Sequence, residues 1–323
     1  ISGLGNETTI EVTDAGTNTA AATDLNTIVA KINATAGSTS SVTVNANITT
    51  ITGTGSAVKS VYDAKTASDL TGVGDEAITI SGETTSSASD INAIVSATSG
   101  TINTVTNVST ISGSLTNIQT FQTNVASGRV SPGLNYDVTI TDTGTLVAQD
   151  LLDLIAPGAG KTFGTINIAD VSKVTGTEAE ITSFLAKIAS NTISADAAID
   201  IDIYDASSAV TTVTAANLNT FDDYTLGTIG APQATTVTGT VSAISEALTS
   251  SGISVASDID ATFDTIATAD ADDVTDINTI TANTSGTVSG TLTGTAAILD
   301  ESSPTYHDHS FFTRCHLFQY LEK

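Results

Sequence analysis

Apolar residues follow two alternating rhythms along this chain. Leu25, Ile28, Val29 and Ile32 stand at i, i+3, i+4 and i+7, one face of a short helix. Leu115, Ile118, Phe121 and Val125 make a second stripe. Ile181, Phe184, Leu185 and Ile188 make a third, and Val241, Ile244 and Leu248 a fourth. Between the stripes the spacing drops to two. Ile78 and Ile80, Val138 and Ile140, and Ile199, Ile201 and Ile203 alternate with Thr or Asp, the period of a half-buried strand. Thr9-Ile10-Glu11-Val12-Thr13-Asp14 matches that strand, so the sequence reads as opening partway through a repeat. Ile102, Val105, Val108 and Ile111 recur about every third residue, which predicts a strand with an irregular continuation.

Two signatures repeat with one period. An apolar residue followed by [ST]-G-[ST] occurs at Ile51-Thr52-Gly53-Thr54, Ile111-Ser112-Gly113-Ser114, Val174-Thr175-Gly176-Thr177, Val237-Thr238-Gly239-Thr240 and Leu292-Thr293-Gly294-Thr295. Asp24-Leu25-Asn26-Thr27-Ile28 returns at Asp90-Ile91-Asn92-Ala93-Ile94, Asn217-Leu218-Asn219-Thr220-Phe221 and Asp276-Ile277-Asn278-Thr279-Ile280. A divergent copy is Asp150-Leu151-Leu152-Asp153-Leu154. Helix start signals precede several copies: Ser87 before Asp90, Thr214 before Asn217, Asp273 before Asp276. Thr177 and Glu180 form a T-x-x-E capping box. Gly113 is expected in a tight turn before its helix, with Ile91, Ile94 and Val95 buried.

A fixed period predicts an array in which each unit packs mainly on its neighbours. The expected unit is strand, helix, strand, helix, about 62 residues long, over residues 1–300, the first copy being partial. The expected fold is α/β: a repetitive right-handed α/β solenoid resembling leucine-rich repeats, with parallel strands and short helices. A closed (β/α) barrel is the alternative. The Asn of the D-[LI]-N motif would fall at one position of stacked coils, either as a ladder satisfying neighbouring backbone or on a polar helix edge. Residues 301–323 carry no repeat signature and hold the chain's single Cys and all three His; they read as a non-repeat C-terminal tail.

Composition narrows the function. Asp and Glu number 35 against 9 Lys and Arg, a net charge of −26, which disfavours nucleic acid and anionic membranes as partners. A hydrophobic content of 40% separates the chain from disordered acidic tails. No run of 18 apolar residues predicts membrane insertion. Residues 1–300 lack Cys, His, Met and Trp. No nucleophilic Cys, phosphate loop or G-x-S-x-G elbow is present. The expectation is therefore a protein that is not an enzyme. Richness in Ser, Thr, Asn and Asp with little Lys predicts a secreted or cell-surface location.

The D-[LI]-N-[TA]-[IF] helices, the [IV]-[ST]-G-[ST] turns and the Asp/Thr strands resemble repeat segments of very large surface proteins of marine bacteria, cyanobacteria especially. The resemblance spans roughly residues 7–300. It implies a structural or adhesive role as spacer, fibre or filament subunit, and because an array that opens mid-repeat exposes a strand edge, neighbouring repeats or identical subunits are expected to meet end to end. It brings no catalytic residues and no resident cofactor.

The chemically suggestive groups are carboxylates. Asp200, Asp202 and Asp205 form one cluster. Asp258, Asp260 and Asp264 together with the four residues Asp270, Asp272, Asp273 and Asp276 form another, and calcium favours several carboxylates on a turn. Those four are the candidate metal ligands, weighed against a solvated acidic face that caps a helix. A calcium-dependent or glycan-binding adhesin module is the alternative function, with surface glycans as partners.

Overall fold

A computed structural model describes residues 9–13, 16, 18–35, 41–104, 108–132, 136–155, 163–206 and 208–294, and the backbone of 315–317. The chain divides into two compact units: Ile1–Asp142 with Leu154–Asp170 and Asn191–Ser194, and Thr143–Asp153 with Val171–Ser190 and Ala195–Lys323.

Among the described residues the helices are α1 (Ala22–Thr35), α2 (Gly55–Thr66), α3 (Ala88–Ala97), α4 (Leu115–Ala126), α5 (Ala148–Ile155), α6 (Glu178–Ala189), α7 (Ala215–Asp222), α8 (Val241–Thr249) and α9 (Ala271–Asn283). Two or three short strands follow each helix before the next begins. The strands pair with equivalent strands one coil earlier and one coil later, and every named pair is parallel. In the first unit one ladder joins Thr9–Val12, Ser41–Val44 and Leu70–Thr71. A second joins Thr19–Ala21, Thr50–Gly53, Ala77–Ile80, Ile102–Thr104 and Val130–Ser131, and a third starts at Thr85–Ser87. In the second unit one ladder runs from Thr145–Val147 through Lys173–Gly176, Asp200–Ile203 and Ile229–Gly230 to Ile253–Ser254. Another runs from Thr212–Thr214 through Thr236–Gly239 and Asp260–Phe263 to Val288–Gly290, which also pairs with Cys315–Leu317.

The fold is thus repetitive α/β, and no ladder closes into the barrel held as the alternative. The repeat holds more elements than the four expected. Five strands and two helices fill the stretch from the start of α2 to the end of the strand Thr110–Gly113, because segments rich in Ser, Thr and Gly break each coil into short faces. Two acidic side chains bond backbone where new ladders start. Gly55, first in α2, donates its N–H to Glu83 beside the strand Thr85–Ser87, and Thr214 N–H donates to Glu178 at the head of α6.

Inward strand residues stack in register. Ala20, Ile51, Ile78, Ile102 and Val130 form one buried column. Leu146, Val174, Ile201 and Ile229 form another, and Val213, Val237, Ala261 and Val288 a third. Helix residues Ile91, Ile94, Ile118, Phe121, Leu218 and Ile244 close the core from the other side. Val95, expected inside, is half-buried, because it follows Ile94 round the helix and turns away from the inner face. Gly113 does not sit in a turn. It ends the strand Thr110–Gly113, Ser114 follows as the N-cap, and the helix starts at Leu115.

Candidate functional site

The recurring motifs converge on the joints between coils. The last residue of the [ST]-G-[ST] motif is the helix N-cap in the first four copies; Thr295 of the fifth lies outside the described residues. The hydroxyls of Thr54, Ser114, Thr177 and Thr240 accept from the backbone N–H three residues on, at 3.2, 3.3, 3.3 and 3.2 Å. Thr177 and Glu180 complete the expected capping box. The glycine before the cap lies against the alanine that opens the previous helix. A Cβ on Gly53, Gly113 or Gly176 would stand 3.1, 3.2 or 3.1 Å from the Cβ of Ala22, Ala88 or Ala148. The same glycines accept from the next coil. The N–H groups of Ser81, Thr141, Tyr204 and Asp264 donate to the carbonyls of Gly53, Gly113, Gly176 and Gly239 at 2.8–3.0 Å.

The motif asparagines bridge helices. Asn26, Asn92 and Asn219 donate Nδ2–H to the carbonyls of Ala57, Asn117 and Ala243, at 2.8, 2.9 and 3.0 Å. Each acceptor is the third residue of the following helix, so the ladder reading holds for these three copies. Asn124 adds a bond to the Asn92 side chain at 3.0 Å. Of the expected start signals, Ser87 caps α3 by accepting from Asp90 N–H at 3.3 Å. Thr214 makes no cap bond, because its hydroxyl donates to Glu178. In α9 the N-cap is Asp270 rather than Asp273.

A further motif escaped the sequence reading. Thr98-Ser99-Gly100-Thr101, Thr225-Leu226-Gly227-Thr228 and Thr284-Ser285-Gly286-Thr287 share the pattern T-x-G-T. Each first Thr is buried. The Thr225 hydroxyl donates to Ile199 O at 2.7 Å and accepts from Gly227 N–H at 2.9 Å. Thr284 bridges Ile259 O and Gly286 N–H in the same way, and Thr98 links the Gly74 carbonyl to Gly100 N–H. The N–H groups of Ser99, Leu226 and Ser285 all donate one coil back at 2.8 Å. A Cβ on Gly227 or Gly286 would fall 2.4 Å from a carbonyl oxygen of the previous coil, so only glycine allows the approach. The signal in the sequence is the recurrence of T-x-G-T at positions 98, 225 and 284.

Charged groups also bind across coils. Arg129 donates to the carbonyls of Val95 and Thr98 at the end of α3. Lys65, from the last turn of α2, reaches Ala97 O at 3.4 Å. Cations suit a helix C-terminus, where unpaired carbonyls carry partial negative charge. Beside them Glu76 is buried; it accepts from Gly74 N–H at 2.7 Å and from the Tyr62 hydroxyl at 3.4 Å. Burial is the main cause that pushes the Tyr62 phenol up to about 12. Burial likewise raises the Tyr136 phenol.

The acidic cluster at α9 works as a helix cap. One Asp270 oxygen accepts from the N–H groups of Asp272 and Asp273 at 3.0 and 3.1 Å, and Asp273 accepts in return from Asp270 N–H at 3.1 Å. Asp276 lies on the next turn of the helix. Among the described residues, no three His, Cys, Asp or Glu side chains gather closely enough to hold a metal ion. No described helix is long and apolar enough to cross a membrane.

Asp200 and Asp202 instead face a groove of about 570 Å³ on the outward face of the ladder from Thr145 to Ser254. Lys173, Thr228, Gly230, Ala231, Pro232, Ser254, Val255 and Ala256 complete its lining. Register places Lys173 beside Asp200, and Asp202 beside Gly230, with Ser254 next. Lys173 Nζ donates to Asp202 at 2.7 Å, and Asp200 accepts from Thr228 N–H at 2.8 Å. A Cβ on Gly230 would stand 2.1 Å from Asp202 Oδ1, so the carboxylate leans over a position that glycine keeps open. Asp205 is not in the lining; its N–H donates to Gln233. No family model, no curated protein and no solved structure matches this chain.

Proposed function

We propose that this chain is a non-enzymatic structural repeat protein of the cell surface, a spacer or a subunit of a fibre or filament. One observation carries the reading: most of the residues that recur along the chain join one coil to the next, and the rest start its helices. The Thr and Ser caps, the Gly–Ala contacts, the Asn bridges and the T-x-G-T bridges all meet backbone or side chains of their own or an adjacent coil. In such an array stability is a sum of units and of interfaces between neighbours, so load passes along many similar joints. The acidic surface, at net −26, keeps chains soluble and apart from one another's flanks. End-to-end meeting with further repeats or identical subunits is the partner this reading implies.

Single-molecule pulling on the full chain tests it. The expected record is a series of unfolding events, each releasing one or two coils. For a unit of about 62 residues that is about 200 Å of chain. A featureless extension like that of an unfolded chain would overturn the reading.

A further inference from the structure

The groove above Gly230 is not explained by coil stacking. Lys173, Asp200, Asp202, Gly230 and Ser254 lie on the outward face of their ladder, away from the inward column Val174, Ile201 and Ile229. We infer that the groove is a binding site for a neutral saccharide, held by the Lys173–Asp202 pair over a small-residue floor.

The chemistry selects this ligand class. A sugar hydroxyl both donates and accepts, so a pair of adjacent hydroxyls can donate to a carboxylate and accept from an ammonium at once. Lys173 and Asp202 offer that pairing, with side chains 33% and 22% exposed, enough to reach a ligand without leaving the sheet. Asp200 has one oxygen engaged by Thr228 N–H, and a carboxylate carries further acceptor capacity. Charge-assisted hydrogen bonds of this kind are the stronger ones. Pro232, Val255 and Ala256 supply C–H surface for the apolar face of a sugar ring.

Other ligand classes fit less well. An anion would meet two carboxylates for one ammonium, on a chain of net −26. A divalent cation would have to displace the ammonium that already sits 2.7 Å from Asp202. No aromatic ring lines the groove, so stacking is missing and affinity is expected in the millimolar range.

The inference is independent of the spacer reading, since pulling on the full chain does not probe the groove. The test is saturation-transfer NMR on the full chain in chelator, with neutral oligomers of glucose, galactose, mannose and N-acetylglucosamine as probes. At least one is expected to bind saturably. Lys173→Met and Asp202→Asn should each weaken it by at least about tenfold. Asp272→Asn, outside the groove, should leave it unchanged. Melting temperatures of all variants report that the fold is intact; if Lys173→Met fails that check, Ser254→Leu, which fills the groove from its far side, takes its place. Absence of saturable binding by every probe, binding that requires calcium, or binding untouched by the groove variants would each overturn the inference.

Discussion

Gly113 and Ala88 meet where one coil ends its strand and the previous coil opens its helix; a Cβ on the glycine would lie 3.2 Å from the alanine Cβ. Two small residues in register therefore set the distance between coils. Gly53 with Ala22 and Gly176 with Ala148 repeat the arrangement. Ala88 is fully buried, so a larger side chain there has no space to enter. Ala88→Leu should destabilise the fold by about 1–3 kcal/mol through overpacking. A denaturant titration with an unchanged midpoint would show that the contact does not set the spacing.

Ile94 is fully buried on the inner face of α3, whereas Asp272 is exposed in the first turn of α9. Ile94→Ala should cost about 2–4 kcal/mol by opening a cavity in the core. Asp272→Asn should leave the midpoint unchanged in chelator, because Asp270 and Asp273 make the cap without its side chain. Paired urea titrations check both. The opposite ranking would make the acidic cluster a structural site and the assignment of core and surface wrong.

Thr225 tests the T-x-G-T bridge. Its buried hydroxyl holds Ile199 O and Gly227 N–H together. Thr225→Val keeps the shape and strands both backbone groups, at about 1–3 kcal/mol. Leu226, 86% exposed, is the neighbouring control, and Leu226→Ser should change stability by less than about 0.5 kcal/mol. Thermal melts of the two variants distinguish a bridging residue from a merely local one.

These bridges also mark the limit of what the sequence discloses. Periodicity identified the helices, because Leu115, Ile118 and Phe121 share a face that must be buried. It also located the [ST]-G-[ST] caps and the Asn positions. The extra strands were not legible. Val130–Ser131 and Ile229–Gly230 have two residues each, too few to show a period, and exist only because a neighbouring strand pairs with them. The groove was hidden for a similar reason. Lys173, Asp202 and Gly230 are far apart in sequence and come together through strand register alone. Asp200 and Asp202 were noticed as acidic residues, but their lysine partner lies a whole coil away.

Alkaline pH should weaken the fold through Tyr62. Burial raises its phenol from 10.0 to about 12, so the folded state holds the proton more tightly than the unfolded state. The associated stability is fully present below pH 10 and declines as pH rises from about 10 to about 12. Tyr62→Phe should flatten the fall in stability over that interval, leaving the share due to Tyr136. Urea midpoints measured across the interval check this. Identical slopes for the two proteins would contradict it.

The central claim is that the coils are equivalent pieces held by contacts with their neighbours. It is tested most directly by removing one period, residues 54–113, so that Gly53 runs straight into Ser114. Both junctions place a strand-ending glycine before a helix N-cap, so the shortened chain preserves every type of joint. The account predicts cooperative unfolding, an unchanged helical signal per residue in circular dichroism, and a melting temperature close to that of the full chain. A shortened chain that fails to fold, while the full chain folds, would contradict the claim and point to a single core that depends on every segment.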